Sequence, residues 1–127
     1  MEYTVIINDR SYDLPKKTID VVDKVDAILK VDASNLSPRQ KYEKLHRFTK
    51  EILGEDNTKE ILGSDNLSAV DLSELTLTVR MIIDAYDKPI SDYESEKRMR
   101  SLDSLPIDKI ASLSKAAENI ISFSPKN

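Results

Sequence analysis

The sequence predicts a mainly α-helical fold, a bundle of five or six helices that follows a short N-terminal β-hairpin. Three observations support this prediction. The first fourteen residues alternate between apolar and polar side chains, which is the period of a strand. Beyond Pro15, apolar residues recur at the spacing of an amphipathic helix. The two glycines, Gly54 and Gly63, each end the tetrapeptide Glu-Ile-Leu-Gly. Glycine often follows a helix end because it adopts the left-handed conformation without steric cost.

The N-terminal hairpin is predicted to turn at Asn8 and Asp9, because both residue types tolerate a positive φ angle. The resulting register places three pairs of side chains on one face: Tyr3 with Leu14, Val5 with Tyr12, and Ile7 with Arg10. A shift of one residue would destroy the segregation of apolar from polar side chains. Because an isolated two-stranded ribbon is marginally stable in water, this face is expected to cover helices or a partner.

The first two helices are predicted from apolar stripes and capping residues. The first has an inward stripe whose members are Ile19, Val22, Val25, Ile28 and Leu29. The second starts at Ser37, with Pro38 at the first helical position and Gln40 completing a capping box. Gly54 is expected to end this second helix.

The next three helices are predicted after Gly54. The third is predicted from about Asp56 to Leu62. The fourth has the most regular stripe in the chain, formed by Leu75, Val79, Ile82, Ile83 and Tyr86. Pro89 is expected to end or kink this helix, because proline has no amide hydrogen to donate. Ser91 and Glu94 form a capping box, which predicts a fifth, highly charged helix through Arg100.

The last predicted helix opens at Leu105-Pro106 and has an inward stripe of Ile107, Ile110, Leu113, Ala117, Ile120 and Ile121. A chain of 127 residues can bury a core without disulfides or metal. We therefore expect a single domain over residues 1–127, with the hairpin over 1–15, the helical bundle over 16–121, and a flexible tail over 122–127.

The composition argues against several classes of function. The chain has no cysteine, which excludes thiolate metal sites and suits a reducing cytoplasm. Its net charge of −4 disfavours a nucleic-acid partner, and no apolar run approaches the length of a membrane span. Both glycines are assigned to helix ends, so none remains for a phosphate-binding loop or a nucleophile elbow. We expect a cytoplasmic, non-enzymatic protein with no catalytic residue, cofactor, metal, nucleic acid or membrane partner.

The single histidine, His46, lies on the second helix beside an apolar face rather than among carboxylates. A catalytic histidine needs a nucleophile or an orienting acid within hydrogen-bond reach. We therefore interpret His46 as a structural residue.

Two apolar surfaces are the candidate partner-binding sites. The first is the hairpin face of Tyr3, Val5 and Tyr12. The second comprises Leu77 and Met81, which lie about opposite the main stripe of the fourth helix. A helix that is apolar on two sides is either central in the fold or covered by another chain. The unpaired edges of the hairpin also allow a second copy of the chain to bind, which predicts a homo-oligomer.

Two alternative functions remain open at this stage. Asp103-Ser104-Leu105 is the tripeptide that carries phosphopantetheine on acyl carrier proteins, although Pro106 follows Ser104 closely and the acidic run of carriers is missing. The other alternative is a small helical regulator that binds DNA, which the acidic balance of the chain disfavours.

Several runs of the sequence carry a resemblance to a known family. They are residues 3–8 (YTVIIN), 12–15 (YDLP), 19–26 (IDVVDKVD), 41–44 (KYEK), 51–54 (EILG) and 83–90 (IDAYDKPI). In these runs, and in its length, the chain resembles the small tail assembly chaperones of long-tailed phages and prophages of Gram-positive bacteria.

The resemblance implies a protein that acts by binding. Members of this family bind the tape measure protein and help tail tube subunits to assemble around it, and a frameshifted longer form often accompanies the short one. The family offers no functional residue that can be transferred by motif. A long helical client suits recognition in which an amphipathic helix lies in an apolar groove.

Overall fold

The computed structural model describes residues 1–103, with side-chain environments through residue 100. Its elements are β1 (Tyr3–Ile7), β2 (Arg10–Leu14), α1 (Ile19–Leu29), α2 (Pro38–Leu53), α3 (Glu55–Leu62) and α4 (Leu72–Asp103), with short 3₁₀ helices at Val31–Ala33 and Leu67–Ala69. The prediction of a mainly helical chain with an N-terminal hairpin is confirmed. The described residues contain four α-helices, whereas we predicted five or six for the whole chain. The last predicted helix and the predicted tail lie outside the described residues.

The hairpin has the predicted turn and register. Asn8 and Asp9 adopt φ angles of 53° and 65°, and β1 pairs antiparallel with β2. Tyr3 pairs with Leu14, Val5 with Tyr12, and Ile7 with Arg10. Its four most deeply buried side chains are Val5, Ile7, Tyr12 and Leu14, which belong to the hydrophobic core. Arg10, the charged member of this face, forms an ion pair with Glu60 of α3. The hairpin is therefore stabilised by packing on the helices of its own chain.

The capping residues of α2 are confirmed. The Ser37 hydroxyl accepts a hydrogen bond from the amide of Gln40 at 3.2 Å, and the Gln40 side chain accepts one from the amide of Ser37 at 3.0 Å. Gly54 ends α2, as predicted, but with φ 89° and ψ 159° it is not left-handed helical, and α3 begins at the next residue. Gly63 ends α3 in the left-handed conformation, with φ 79° and ψ −4°.

The predicted inward stripe of α1 is wrong for three of its five members. Val25 and Ile28 pack against the core, together with the buried Val21. Ile19, Val22 and Leu29 are exposed instead, by 72%, 40% and 63%. The helix is apolar over about half its circumference, so periodicity alone could not decide which edge of this arc faces inward. In the structure, the edge of the arc that contains Val21 faces inward.

Pro89 was predicted to end or kink the fourth helix, and it does not end it, because α4 runs from Leu72 to Asp103 with Pro89 inside it. The separate helix predicted from Ser91 is consequently part of α4. Proline removes one helical hydrogen bond, and the residues that follow include glutamate, lysine and arginine, which favour helix. The chain divides into two compact units at this proline, Met1–Lys88 and Pro89–Asn127. The core and the cavities described below belong to Met1–Lys88.

The centre of the core is formed by α4. Leu75 and Ile82 are fully buried, and Val79 and Tyr86 are nearly so. These are four of the five residues of the predicted stripe, and they pack with side chains from the hairpin, α1, α2 and α3. The fifth, Ile83, is only partly buried and packs against this core. The stripe that is most regular in the sequence is therefore the one that the other elements surround.

Candidate partner-binding groove

A half-open groove of about 700 Å³ lies among α1, α2 and α4. It is lined by Ile28, Leu29, Val31, Asp32, Pro38, Lys41, Tyr42, Leu45, Thr76, Val79, Arg80, Ile83 and Asp84. Helix α1 and the 3₁₀ helix at Val31–Ala33 contribute the first four residues, the N-terminal half of α2 contributes the next four, and α4 contributes the last five. The volume is in the range of protein sites that bind ligands or side chains of partners.

The groove has an apolar lining that is only partly covered by the chain itself. Val31 and Val79 are buried, whereas Tyr42, Leu45 and Ile83 pack on the core and are only partly buried. Leu29 is an exposed apolar residue of the lining, at 63%. A surface of this kind gains free energy when another apolar side chain removes it from water.

Charged side chains of both signs accompany this apolar lining. Asp32 and Asp84 are acidic, and Lys41 and Arg80 are basic, so the charges balance. The Lys41 ammonium donates a hydrogen bond of 3.2 Å to the carbonyl oxygen of Asp32, which joins α2 to the 3₁₀ helix after α1. Arg80 and Asp84 form no salt bridge with other residues in the described part of the chain. These two side chains are therefore free to pair with charges on a bound molecule.

The exposed apolar edge of α1 continues from the groove. At 3.6 residues per turn, Ile19, Val22 and Leu29 lie within about 80° of one another on the helix surface. Leu29 is shared between this edge and the groove lining. An apolar stripe of two to three turns therefore extends the binding surface beyond the groove.

The structure places the sequence-predicted binding residues in different environments. Val5 and Tyr12 are buried in the core, and Tyr3 packs against it, so the hairpin face is covered by the chain's own helices and is not an exposed surface. Met81 also packs against the core and is partly buried. Leu77 is 53% exposed, and neither Leu77 nor Met81 lines the groove. Of the five residues, Leu77 alone offers a largely exposed side chain.

His46 is buried, with 6% of its surface exposed, and its Nε2 atom has no hydrogen-bond partner among the described residues. Burial lowers the pKa of the imidazole from its ordinary value of 6.5, and the positive charge of Lys50 lowers it further, whereas Asp65 opposes both effects. Within residues 1–103, no cluster of histidine and acidic side chains could hold a metal ion. The environment of His46 is that of a neutral imidazole in a core.

None of the helices described here combines sufficient length with sufficient apolar character to cross a bilayer. Ser104, the residue on which the carrier alternative depends, lies outside the described residues.

The groove was not predicted from the sequence, because its lining comes from three separate helices, and only the tertiary arrangement brings α4 beside α1 and α2. The exposed positions of Ile19, Val22 and Leu29 were the available signal, since they make α1 apolar over a wider arc than one buried face needs. No family model, curated protein or solved structure matches this chain.

Proposed function

We propose that this chain is a non-enzymatic assembly chaperone that binds an amphipathic helix of a tape measure protein in the groove among α1, α2 and α4. The observation that carries the proposal is the groove itself, which has an apolar lining with balanced charges. The resemblance in sequence to the tail assembly chaperones of phages and prophages supplies the identity of the client. The proposed setting is the cytoplasm of a bacterial host.

The apolar lining of the groove suits one face of an amphipathic helix. An α-helix with its side chains is about 10–12 Å across and presents an apolar stripe to a groove through residues at every third or fourth position. Tyr42, Leu45 and Ile83 would contact such a stripe, and Leu29 would extend the contact along α1. Arg80 and Asp84 would pair with charges that flank the stripe on the client. Binding of this kind requires no cofactor and no chemical step.

Two further partners belong to the same proposal. The resemblance implies assistance to tail tube subunits, and the exposed Leu77 is a proposed contact for them because it lies outside the groove. Self-association is proposed through the outer edges of the hairpin, since β1 and β2 pair only with each other in the described part of the chain. Sedimentation velocity over a range of concentrations would detect the oligomer.

The deciding experiment measures capture of a helical tape measure fragment by immobilised variants of the full chain. Leu29→Asp places a charge in the groove at a 63% exposed position, so the fold should survive and capture should be lost. Ile6→Asp is the matched control, because Ile6 is 69% exposed on the outer face of the hairpin. Equal capture by both variants and by the parent chain would refute the proposed site, and absence of capture by the parent chain would refute the proposed client.

A further inference from the structure

A second, smaller cavity of about 270 Å³ lies between α1 and α2. Its lining consists of Lys24, Ala27, Ile28, Lys30, Val31, Ser34, Leu36, Lys44, Arg47, Phe48 and Glu51. The inner part is apolar, because Val31 and Phe48 are buried core residues and Ile28 and Leu36 are partly buried. Ile28 and Val31 also line the larger groove, so the two cavities are neighbours.

The charges around this cavity differ from those of the groove. Four basic residues and one acidic residue line it, which is a local excess of three positive charges in a chain whose net charge is −4. The basic residues are Lys24, Lys30, Lys44 and Arg47, and the acidic residue is Glu51. The groove, in contrast, has two charges of each sign. A positive site on an acidic protein attracts anionic groups and repels cationic ones.

Two of the four cations are already paired. The Lys24 ammonium lies 3.1 Å from a carboxylate oxygen of Glu51, and the Lys30 ammonium lies 2.8 Å from a carboxylate oxygen of Asp26. Lys44 and Arg47 form no salt bridge with any other described residue. They lie three positions apart on α2, so both project from the same side of the helix at the edge of the cavity.

We propose that this cavity binds an acidic protein segment, in which an aliphatic or aromatic side chain enters the apolar interior and neighbouring carboxylates pair with Lys44 and Arg47. The bidentate geometry of the Arg47 guanidinium suits a carboxylate. A protein segment is favoured over a single-stranded nucleic acid because the only aromatic residue of the lining, Phe48, is 3% exposed and offers no ring face for base stacking. Lys44, Arg47 and Phe48, on which this proposal depends, do not line the client groove.

The test measures binding of two fluorescent helical peptides of about twelve residues to the full chain by anisotropy. The acidic peptide repeats leucine and glutamate so that both occur on one helix face, and its twin has lysine in place of each glutamate. The acidic peptide should bind, more weakly as salt is added, and the lysine twin should not. An unlabelled single-stranded oligonucleotide of about twelve nucleotides should fail to displace the acidic peptide.

Three variants locate the binding site. The double variant Lys44→Glu and Arg47→Glu should weaken binding of the acidic peptide by at least about tenfold. Arg39→Glu is the control for position, because it reverses one exposed charge on α2 outside both cavities, and it should leave affinity within about twofold. Ala27→Trp obstructs the cavity with no change in charge and should also weaken binding. Circular dichroism verifies that each variant is folded.

The proposal is overturned by any of four results: no binding of the acidic peptide, equal affinity in the double variant and the parent chain, a loss in Arg39→Glu as large as that in the double variant, or displacement by the oligonucleotide. If the double variant fails to fold, Ala27→Trp decides alone, and unchanged affinity in that variant then overturns the proposal. Capture of the tape measure fragment should be unaffected by Ala27→Trp, which separates this site from the groove.

Discussion

The hydroxyl of Tyr86 donates a hydrogen bond of 2.8 Å to the carbonyl oxygen of Pro15, across 71 residues of sequence. The ring of Tyr86 also lies against that of Tyr3, with centroids 5.2 Å apart and planes inclined at 47°. Pro15 follows β2 directly, and Tyr86 is buried on α4. One side chain therefore joins the end of the hairpin to the central helix through both a polar and an aromatic contact.

Tyr86→Phe should lower the free energy of unfolding by about 1 kcal/mol, because it removes one hydrogen bond and keeps the aromatic packing. Pro15 is exposed, so water can replace the lost hydroxyl at its carbonyl oxygen. Urea denaturation followed by circular dichroism measures the difference. Tyr93→Phe is the control, because Tyr93 is exposed and its substitution should leave stability unchanged.

Stability at alkaline pH should depend on Tyr86. Burial raises the pKa of its hydroxyl from 10.0 to about 12, with a smaller contribution from Tyr3. A raised pKa means that the folded state holds the proton more tightly, so this contribution is complete below about pH 10 and is lost as the pH rises towards 12. The stability difference between the parent chain and Tyr86→Phe should therefore shrink across that interval, as measured by melting temperature. A constant difference would contradict the assignment.

Two leucines on α4 should respond differently to the same substitution. Leu75 is fully buried, and Leu75→Ala should cost about 2–5 kcal/mol through lost burial and the cavity left behind. Leu77 is 53% exposed, and Leu77→Ala should change stability by less than about 0.5 kcal/mol. Chemical denaturation of both variants provides the comparison. A large loss in Leu77→Ala would mean that this side chain is covered in solution, for example by a second copy.

The hairpin and the start of α2 could be predicted because their determinants are local. The turn at Asn8 and Asp9 fixes the strand register, and the Ser37–Gln40 capping box fixes a helix start through residues within one turn. The inward face of α1 could not be predicted, because Val21 and Val22 are equally apolar and their burial depends on where α2 and α4 lie. The groove depends on the same long-range arrangement. The wide apolar arc of α1 indicates an uncovered apolar edge, but it does not locate the groove.

The two glycines differ in backbone conformation although they follow the same tripeptide. Both follow Glu-Ile-Leu, and both have positive φ, yet only Gly63 is left-handed helical. Gly54 has ψ near the extended value because α3 must start at once in a new direction. The tetrapeptide Glu-Ile-Leu-Gly predicts where each helix ends, and the residues that follow it decide the backbone conformation of the glycine.

Replacement of either glycine by alanine should destabilise the protein. Gly63→Ala should cost about 1–2 kcal/mol, the penalty of a left-handed residue with a Cβ atom. Gly54→Ala should cost about 1–3 kcal/mol, because its φ and ψ angles lie near a region that is essentially restricted to glycine. No atom of the described residues lies within 4 Å of a Cβ placed at either position, so the cost is conformational rather than a steric clash with these neighbours.

Asparagine separates the two cases, since it tolerates the left-handed helical conformation better than other residues with a side chain. Gly63→Asn should therefore recover part of the loss seen in Gly63→Ala, and Gly54→Asn should recover little of the loss in Gly54→Ala. Thermal denaturation of the four variants measures both pairs. Equal recovery at the two positions would show that their backbone conformations do not differ as described.

The stability of the fold in mildly acidic solution should depend on His46. Its pKa lies below the ordinary 6.5, mainly because burial disfavours the charged imidazole and also because Lys50 is nearby, with Asp65 acting in the opposite direction. A lowered pKa means that the unfolded state takes up the proton first. The stability provided by the neutral imidazole is therefore present above about pH 6.5 and is lost as the pH falls through the folded-state value.

The free energy of unfolding should accordingly decrease between about pH 7.5 and pH 5, and the decrease should be smaller in His46→Gln, which is neutral throughout this interval. Subtracting the two curves removes the contribution of carboxylates, which titrate in both proteins. The Nε2 atom has no partner among the described residues. A protonated Nε2–H would therefore find no acceptor for its hydrogen bond among them, which makes the buried charge costly. Parallel curves for the two proteins would show that His46 reaches water or an acceptor when it is charged.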